Sequence, residues 1–149
     1  MLIDIVIKIF ERDLNKLKEE IAAYKDESNL WIIDKAVSNC PGNLCLHLVG
    51  NLNHFIGAEL GGTGYIRQRD LEFSLKDVPR EELLRQVDET MDIVENTLKK
   101  LTPQDLQKEY RRRVFEDHMT TGYFLVHLTS HLAYHLGQIN YHRRLLDSK

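Results

Sequence analysis

Cysteine is scarce in this chain: there are two, Cys40 and Cys45, in 149 residues. A C-x4-C pair is neither a CxxC redox motif nor a disulfide framework, so both read as plain reduced thiols of a cytoplasmic protein. An excess of either charge is also missing. Twenty Lys and Arg against 23 Asp and Glu leave a formal −3 and a pI near 6.2. That is not the basic footprint which binding a phosphate backbone requires, so nucleic acid is not expected as a partner. No apolar run approaches a membrane span. The apolar start, Met1 to Phe10, is broken by Asp4 and Lys8 and has neither a basic leader nor a small-residue cleavage site, so it does not read as a targeting signal. The glycines make no phosphate-binding loop: Gly61-Gly62-Thr63-Gly64 lacks the GxxxxGK[ST] pattern and follows no strand. What remains, 42% hydrophobic and 29% charged without repeats, is ordinary globular composition. One domain over residues 1–149 is long enough to bury its own core.

Apolar spacing divides the chain into four long helices. Ile3, Ile7, Phe10, Leu14, Leu17, Ile21 and Tyr24 alternate steps of four and three, which predicts a first helix with one packed seam. Asp26 to Asn39 reads as a connection in which Trp31 closes an end of the structure. Pro41 and Gly42 open a second helix, Asn43 to Leu60, stopped by Gly61-Gly62. A long loop, Gly61 to Pro79, follows; Arg67, Arg69, Asp70 and Glu72 can pair within it, or an arginine can hold a substrate carboxylate. The third helix carries Leu84, Val87, Met91, Val94, Leu98 and Leu101. Gln104 to Thr120, with Tyr110-Arg111-Arg112-Arg113-Val114-Phe115, reads as an extended solvated connection. Thr120 or Thr121 then caps a fourth helix that continues towards Lys149.

That last helix holds the chemistry. His127, His131 and His135 recur every four residues among Phe124, Leu128, Leu132, Leu136, Ile139 and Leu146. At roughly 100° per residue, His135 falls inside the apolar arc, His131 at its edge and His127 outside it. His131 and His135 therefore stack on one face, close enough to converge on one metal ion. His142 returns to that face about 10 Å further along, too far to share the ion. On the second helix, Leu44, His47, Asn51, Phe55 and Ala58 form a face, with His54 near its line. If the two helices are neighbours, His47 is the natural third ligand, and His54 can serve only in its place.

Three stretches carry a resemblance: His47-Leu48-Val49-Gly50-Asn51, Arg67-Gln68-Arg69-Asp70-Leu71-Glu72-Phe73, and His131-Leu132-Ala133-Tyr134-His135-Leu136-Gly137-Gln138-Ile139. Together they resemble the DinB/YfiT superfamily of metal-dependent proteins, over nearly the whole chain. The resemblance implies an all-α, up-down-down-up four-helix bundle, frequently a homodimer, with a divalent metal on His47, His131 and His135. It also implies an enzyme class that includes S-transferases using low-molecular-weight thiols, alongside stress proteins with no assigned reaction. Where relatives often have another histidine, this chain has Tyr134.

Three imidazoles leave a coordination position open for water or substrate. There an ion acts as a Lewis acid or lowers the pKa of what it binds, so a thiol becomes the nucleophile that transfer to a small electrophile needs. Water activated in the same way would give a hydrolase, and a closed fourth ligand would give a non-catalytic, ligand-binding protein. Zinc or nickel is expected first, and iron or copper also suits imidazole. Asn51 and Gln138, each one turn from a ligand, are candidates for hydrogen bonds that orient the ligands. Arg67 and Arg69 are candidates for binding substrate.

Overall fold

Helix α1 (Leu2–Ala23) forms along the expected seam: Phe10, Leu14, Leu17 and Ile21 are buried, and Tyr24 just beyond its end is too. At its start the contact line turns, so that Val6 is buried while Ile3 and Ile7 are half-buried. The computed structural model describes residues 1–111, 114 and 118–148. After a 3-10 turn (Glu27–Trp31), Pro41 sits at the first position of α2 (Pro41–Leu52), where its missing N–H is no loss. Nearly every residue of α2 is buried, not one face alone.

The second helix is not uniform. Its α-helical part passes into a π-helical segment, Asn53–Ala58, and a last α-helical turn, α3 (Glu59–Gly61). The Asn53 side-chain amide donates to the Val49 carbonyl at 2.8 Å and to Thr90 Oγ1 at 2.9 Å, so a side chain enters the backbone ladder where the register widens. Gly62 ends the run at φ 62°, a left-handed conformation that glycine adopts without a Cβ penalty.

The long loop also contains structure that periodicity did not foretell. Residues Arg69–Ser74 form a short helix, α4, docked on α2 by Asn43, whose Nδ2 donates to the carbonyls of Glu72 at 2.9 Å and Leu75 at 2.7 Å. In α5 (Arg80–Leu98) the buried line is Leu83, Val87, Thr90, Val94, Thr97 and Leu98; Leu84, Met91 and Leu101 are half-buried beside it. Threonines joined the core because Thr90 satisfies its hydroxyl on the Gln86 carbonyl at 2.7 Å. The connection that follows is partly helical, with α6 (Pro103–Gln107) capped by Thr102. Of the basic run after Tyr110, Arg112, Arg113 and Phe115 lie outside the described residues, as do Glu116 and Asp117. Thr120 caps α7 (Thr121–Leu146), accepting the Tyr123 N–H at 3.1 Å.

The long helices form a ring of neighbours. Both α1 and α2 pack against α5 and α7. Glu20 with Arg143, and Tyr24 with Ile139, join the C-terminal ends of α1 and α7, which run parallel. Arg80 with the Ala22 carbonyl joins the end of α1 to the start of α5, and Lys18 pairs with Asp88 further along, so these two are antiparallel. Asn53 with Thr90 and Gly57 beside Ile93 run α2 along α5, whereas Phe55 against Phe124 and His47 against His131 run it opposite to α7. In chain order the four directions are up, down, down and up. At one end Trp31 lies on the α2 start, so close that a Cβ on Gly42 would meet its ring at 2.6 Å. Among the described residues no helix is long and apolar enough to cross a membrane.

The C-terminus of α7 is tied down by Asp147, a buried carboxylate. It accepts the backbone N–H groups of Lys25 and Asp26 and the Asn29 amide, the last at 2.9 Å. Burial pushes its pKa up, but those donors outweigh burial and hold it below the usual carboxylate range. Asp147→Ala should lower stability by about 1–3 kcal/mol at neutral pH, the range for hydrogen bonds to a charged group. Because the folded pKa is depressed, the gap from wild type should persist above the unfolded carboxylate pKa and close as pH falls through the folded one. Denaturant unfolding of both proteins at pH 7 and pH 3 measures it.

Candidate metal centre

Antiparallel neighbours α2 and α7 face His47 toward His131 and His135. The Nε2 atom of His131 lies 3.2 Å from that of His47 and 3.1 Å from that of His135. One ligand atom from each of the three lies within 4.8 Å of the others, and among the described residues no fourth His, Cys, Asp or Glu joins the group. A tetrahedral ion with nitrogen ligands at about 2.0–2.1 Å sets neighbouring donors ~3.3 Å apart, so the spacing suits one first-row divalent ion.

The outer nitrogens orient the donors. His47 Nδ1 donates to Glu72 Oε1 at 3.0 Å, and His135 Nδ1 donates to Gln138 Oε1 at 2.7 Å. A carboxylate accepts and cannot donate, so the His47 proton sits on Nδ1 and its Nε2 lone pair points inward. His135 takes the same tautomer through the Gln138 oxygen. Two lone pairs thus face His131 Nε2, and a single proton on that atom can bridge to only one of them at a time. His131 Nδ1 and Asn51 Oδ1 are buried, with no hydrogen-bond partner among the described residues. Of the two expected neighbours, Gln138 is hydrogen-bonded to His135, whereas the oxygen of Asn51, one turn from His47, has no hydrogen-bond partner among the described residues.

Burial, then the neighbouring cationic forms of His135 and His47, push the His131 pKa down to about 4. Burial lowers His135 as well, against the opposing bond from Gln138. Both are neutral donors at physiological pH. Glu72 is pushed up by burial, yet bonds from His47 and Arg67 and the Arg67 charge outweigh it and hold the carboxylate ionised.

Sequence reasoning placed Glu72 only among the groups that pin the loop; it did not place it against a histidine. Its signal was indirect: the Arg67-to-Phe73 stretch carried the family resemblance, and Gly50 sits one turn beyond His47 in the interior of a helix. Arg67 forks onto Glu72, with Nε to Oε2 at 2.9 Å and Nη2 to Oε1 at 3.0 Å. Arg69 is exposed and lies over the Phe73 ring, which itself packs on His47. The other histidines are elsewhere. His127 stacks on Phe124, His54 lies against Phe55, and buried His142 joins the Tyr24 hydroxyl at 2.8 Å and the Ile32 carbonyl at 2.9 Å.

A cleft of about 790 Å³ opens beside the group. His135 and Gln138 line it, with Val37, Leu44, Tyr134, Tyr141 and Leu145 among its walls and Asp34 and Lys35 at the loop side. Neither Arg67 nor Arg69 lines it. Tyr134, at the position where a further histidine was anticipated, is exposed, its ring 5.3 Å from that of His135.

A family model described as "Protein of unknown function (DUF1572)" matches residues 2–149. The chain belongs to that family. Comparison with curated proteins gives no match. Among the described residues, His47, His131 and His135 are the group that could hold a metal ion.

The titration of the metal-free protein follows from these environments. Between pH 6.5 and about 4 the unfolded chain holds a proton at His131 that the folded chain lacks, so stability falls as pH drops through that window. Thermal melts of metal-free wild type across it should show the fall, and His131→Gln should make it shallower, His135 keeping its own share. NMR should find the His131 ring resonances moving near pH 4.

Proposed function

We propose that the chain is a divalent-metal-dependent enzyme of the DinB/YfiT type that joins a low-molecular-weight thiol to a small electrophile. His47, His131 and His135 hold the ion in this reading. The observation that carries it is the convergence of three Nε2 atoms, two with lone pairs turned inward, beside a cleft large enough for a small molecule. The up-down-down-up order of the long helices and the match to a family model over residues 2–149 support it. Imidazole donors suit zinc or nickel, with iron or copper as alternatives.

A bound divalent ion supplies Lewis acidity at its open coordination position, lowering the pKa of a thiol there. The chain's own groups do the rest. His131 and His135 are kept neutral by burial, so ligation does not have to displace a proton from them. Gln138 fixes the ring of His135 through Nδ1. The apolar walls at Val37, Leu44 and Leu145, with Tyr134 and Tyr141, shield an electrophile from water beside the donors. Those walls, rather than Arg67 and Arg69, are the substrate contacts in this reading. Homodimer formation and a cytoplasmic location belong to the same proposal; exposed Tyr123 and Val126 on α7, outside the cleft, offer apolar surface for the first.

Elemental analysis of tag-free protein tests the site. About one metal per chain is expected in wild type and in His127→Ala, and none in His47→Ala, His131→Ala or His135→Ala, with circular dichroism checking that each variant is helical. A thiol added to cobalt-substituted wild type should then shift the visible spectrum. Metal bound without any response to thiols would remove the transferase reading and turn the assays to hydrolysis. No metal after reconstitution would remove the centre itself.

A further inference from the structure

We propose that Glu72 is the positioning residue of this centre, and that the segment between α2 and α5 exists in its present form to deliver that carboxylate to Nδ1 of His47. The proposal rests on the metal reading above and extends it to a loop that reading does not use. Glu72 is 6% exposed, although Asp70, Leu71, Ser74 and Leu75 around it are all exposed. A glutamate whose only purpose was to pin the loop would be satisfied by the fork from Arg67 and could stay at the surface. Instead α4 presses it into α2.

Three successive contact points on one face of α2 receive it. Asn43 holds the Glu72 carbonyl, His47 donates to Oε1, and Gly50 leaves the space that the carboxylate fills. A Cβ on Gly50 would fall 1.9 Å from Oε2 and 2.6 Å from Cδ. Glycine inside a helix costs about 1 kcal/mol relative to alanine, so the notch is kept against helix propensity. Arg67 completes the arrangement. Its Nη2 lies 3.4 Å from His47 Nδ1, further than the 3.0 Å to Oε1, so the carboxylate and not the guanidinium is the partner of the ring. By forking onto both oxygens it also keeps Glu72 on the outer nitrogen and away from the inner one. The consequence is a fixed tautomer and ring angle for the one donor that comes from α2. His135 has its orienting partner within its own helix; His47 has to obtain one from another segment.

The test uses zinc alone, with affinity read by competition against a chromogenic chelator. Removing such a partner typically costs about 10–100-fold in metal affinity, and that loss is expected for Glu72→Gln and for Gly50→Ala. Gly50→Ala is the sharper variant, because on helix propensity alone it should raise stability. Asp70→Asn, on the exposed side of α4, should bind zinc as wild type does. The cobalt-substituted spectrum should change in Glu72→Gln but not in Asp70→Asn, a readout that mere loop stability would not move. Should Gly50→Ala fail to fold, Glu72→Asp, one methylene short of His47, takes its place. Wild-type affinity in folded Glu72→Gln and in its companion variant overturns the proposal while leaving the metal reading intact. A wild type that binds no zinc overturns both.

Discussion

Three imidazole nitrogens that approach to 3.1 and 3.2 Å in a half-buried setting are the constraint around which this molecule is arranged. Lone pairs that close repel one another unless a proton or a cation lies between them. Low local dielectric strengthens the repulsion and also discourages protonation, which would place like charges side by side. The arrangement persists because the rings are held from behind. Glu72 and Gln138 hold the outer nitrogens of His47 and His135, and the packing of α2 against α7 fixes the distance between their backbones.

The scaffold can be understood as what is required to hold that packing. Diagonal placement of α1 leaves α2 flanked by α5 and α7, and α4 and the 3-10 turn cover it further, which accounts for its burial on nearly every side. A helix in that position cannot send its polar side chains to water, so Asn43, His47 and Asn53 bond across to neighbouring elements. Asn51 is the exception, its oxygen buried with no partner among the described residues, as is Nδ1 of His131. Each orphan costs about 1–3 kcal/mol. One of the two belongs to a histidine of the group and the other sits one turn along α2 from His47.

Much of this was legible in the residues, for reasons of range. The seam of α1 through Phe10, Leu14, Leu17 and Ile21 could be read because a helix repeats on a fixed period and an amphipathic one must bury its stripe. The inward turn of His131 and His135 followed from the same arithmetic. The short helix at Arg69–Ser74 escaped because six residues show no period, and the docking that holds it comes from Asn43, distant in sequence. In α5 Val87, Val94 and Leu98 were read correctly, but Thr90 and Thr97 were missed because they look polar until their hydroxyls are seen to be satisfied or enclosed. The π-helical segment depended on the Asn53 side chain reaching both its own helix and Thr90, which no one-dimensional pattern encodes.

The sequence by itself determined what lies within a few residues along one helix: that His131 and His135 share a face, that Gln138 lies one turn beyond the latter, and that α7 opens at Thr120 or Thr121. Helix geometry fixes such relations before any packing occurs. Only the tertiary structure decided that His47 meets His131, 84 residues away in sequence, and that Glu72, 25 residues beyond His47, stands behind it. Those distances depend on which helices become neighbours and in which direction they run. That choice is made by the burial of whole helix faces, a sum over the entire chain to which no local pattern gives access.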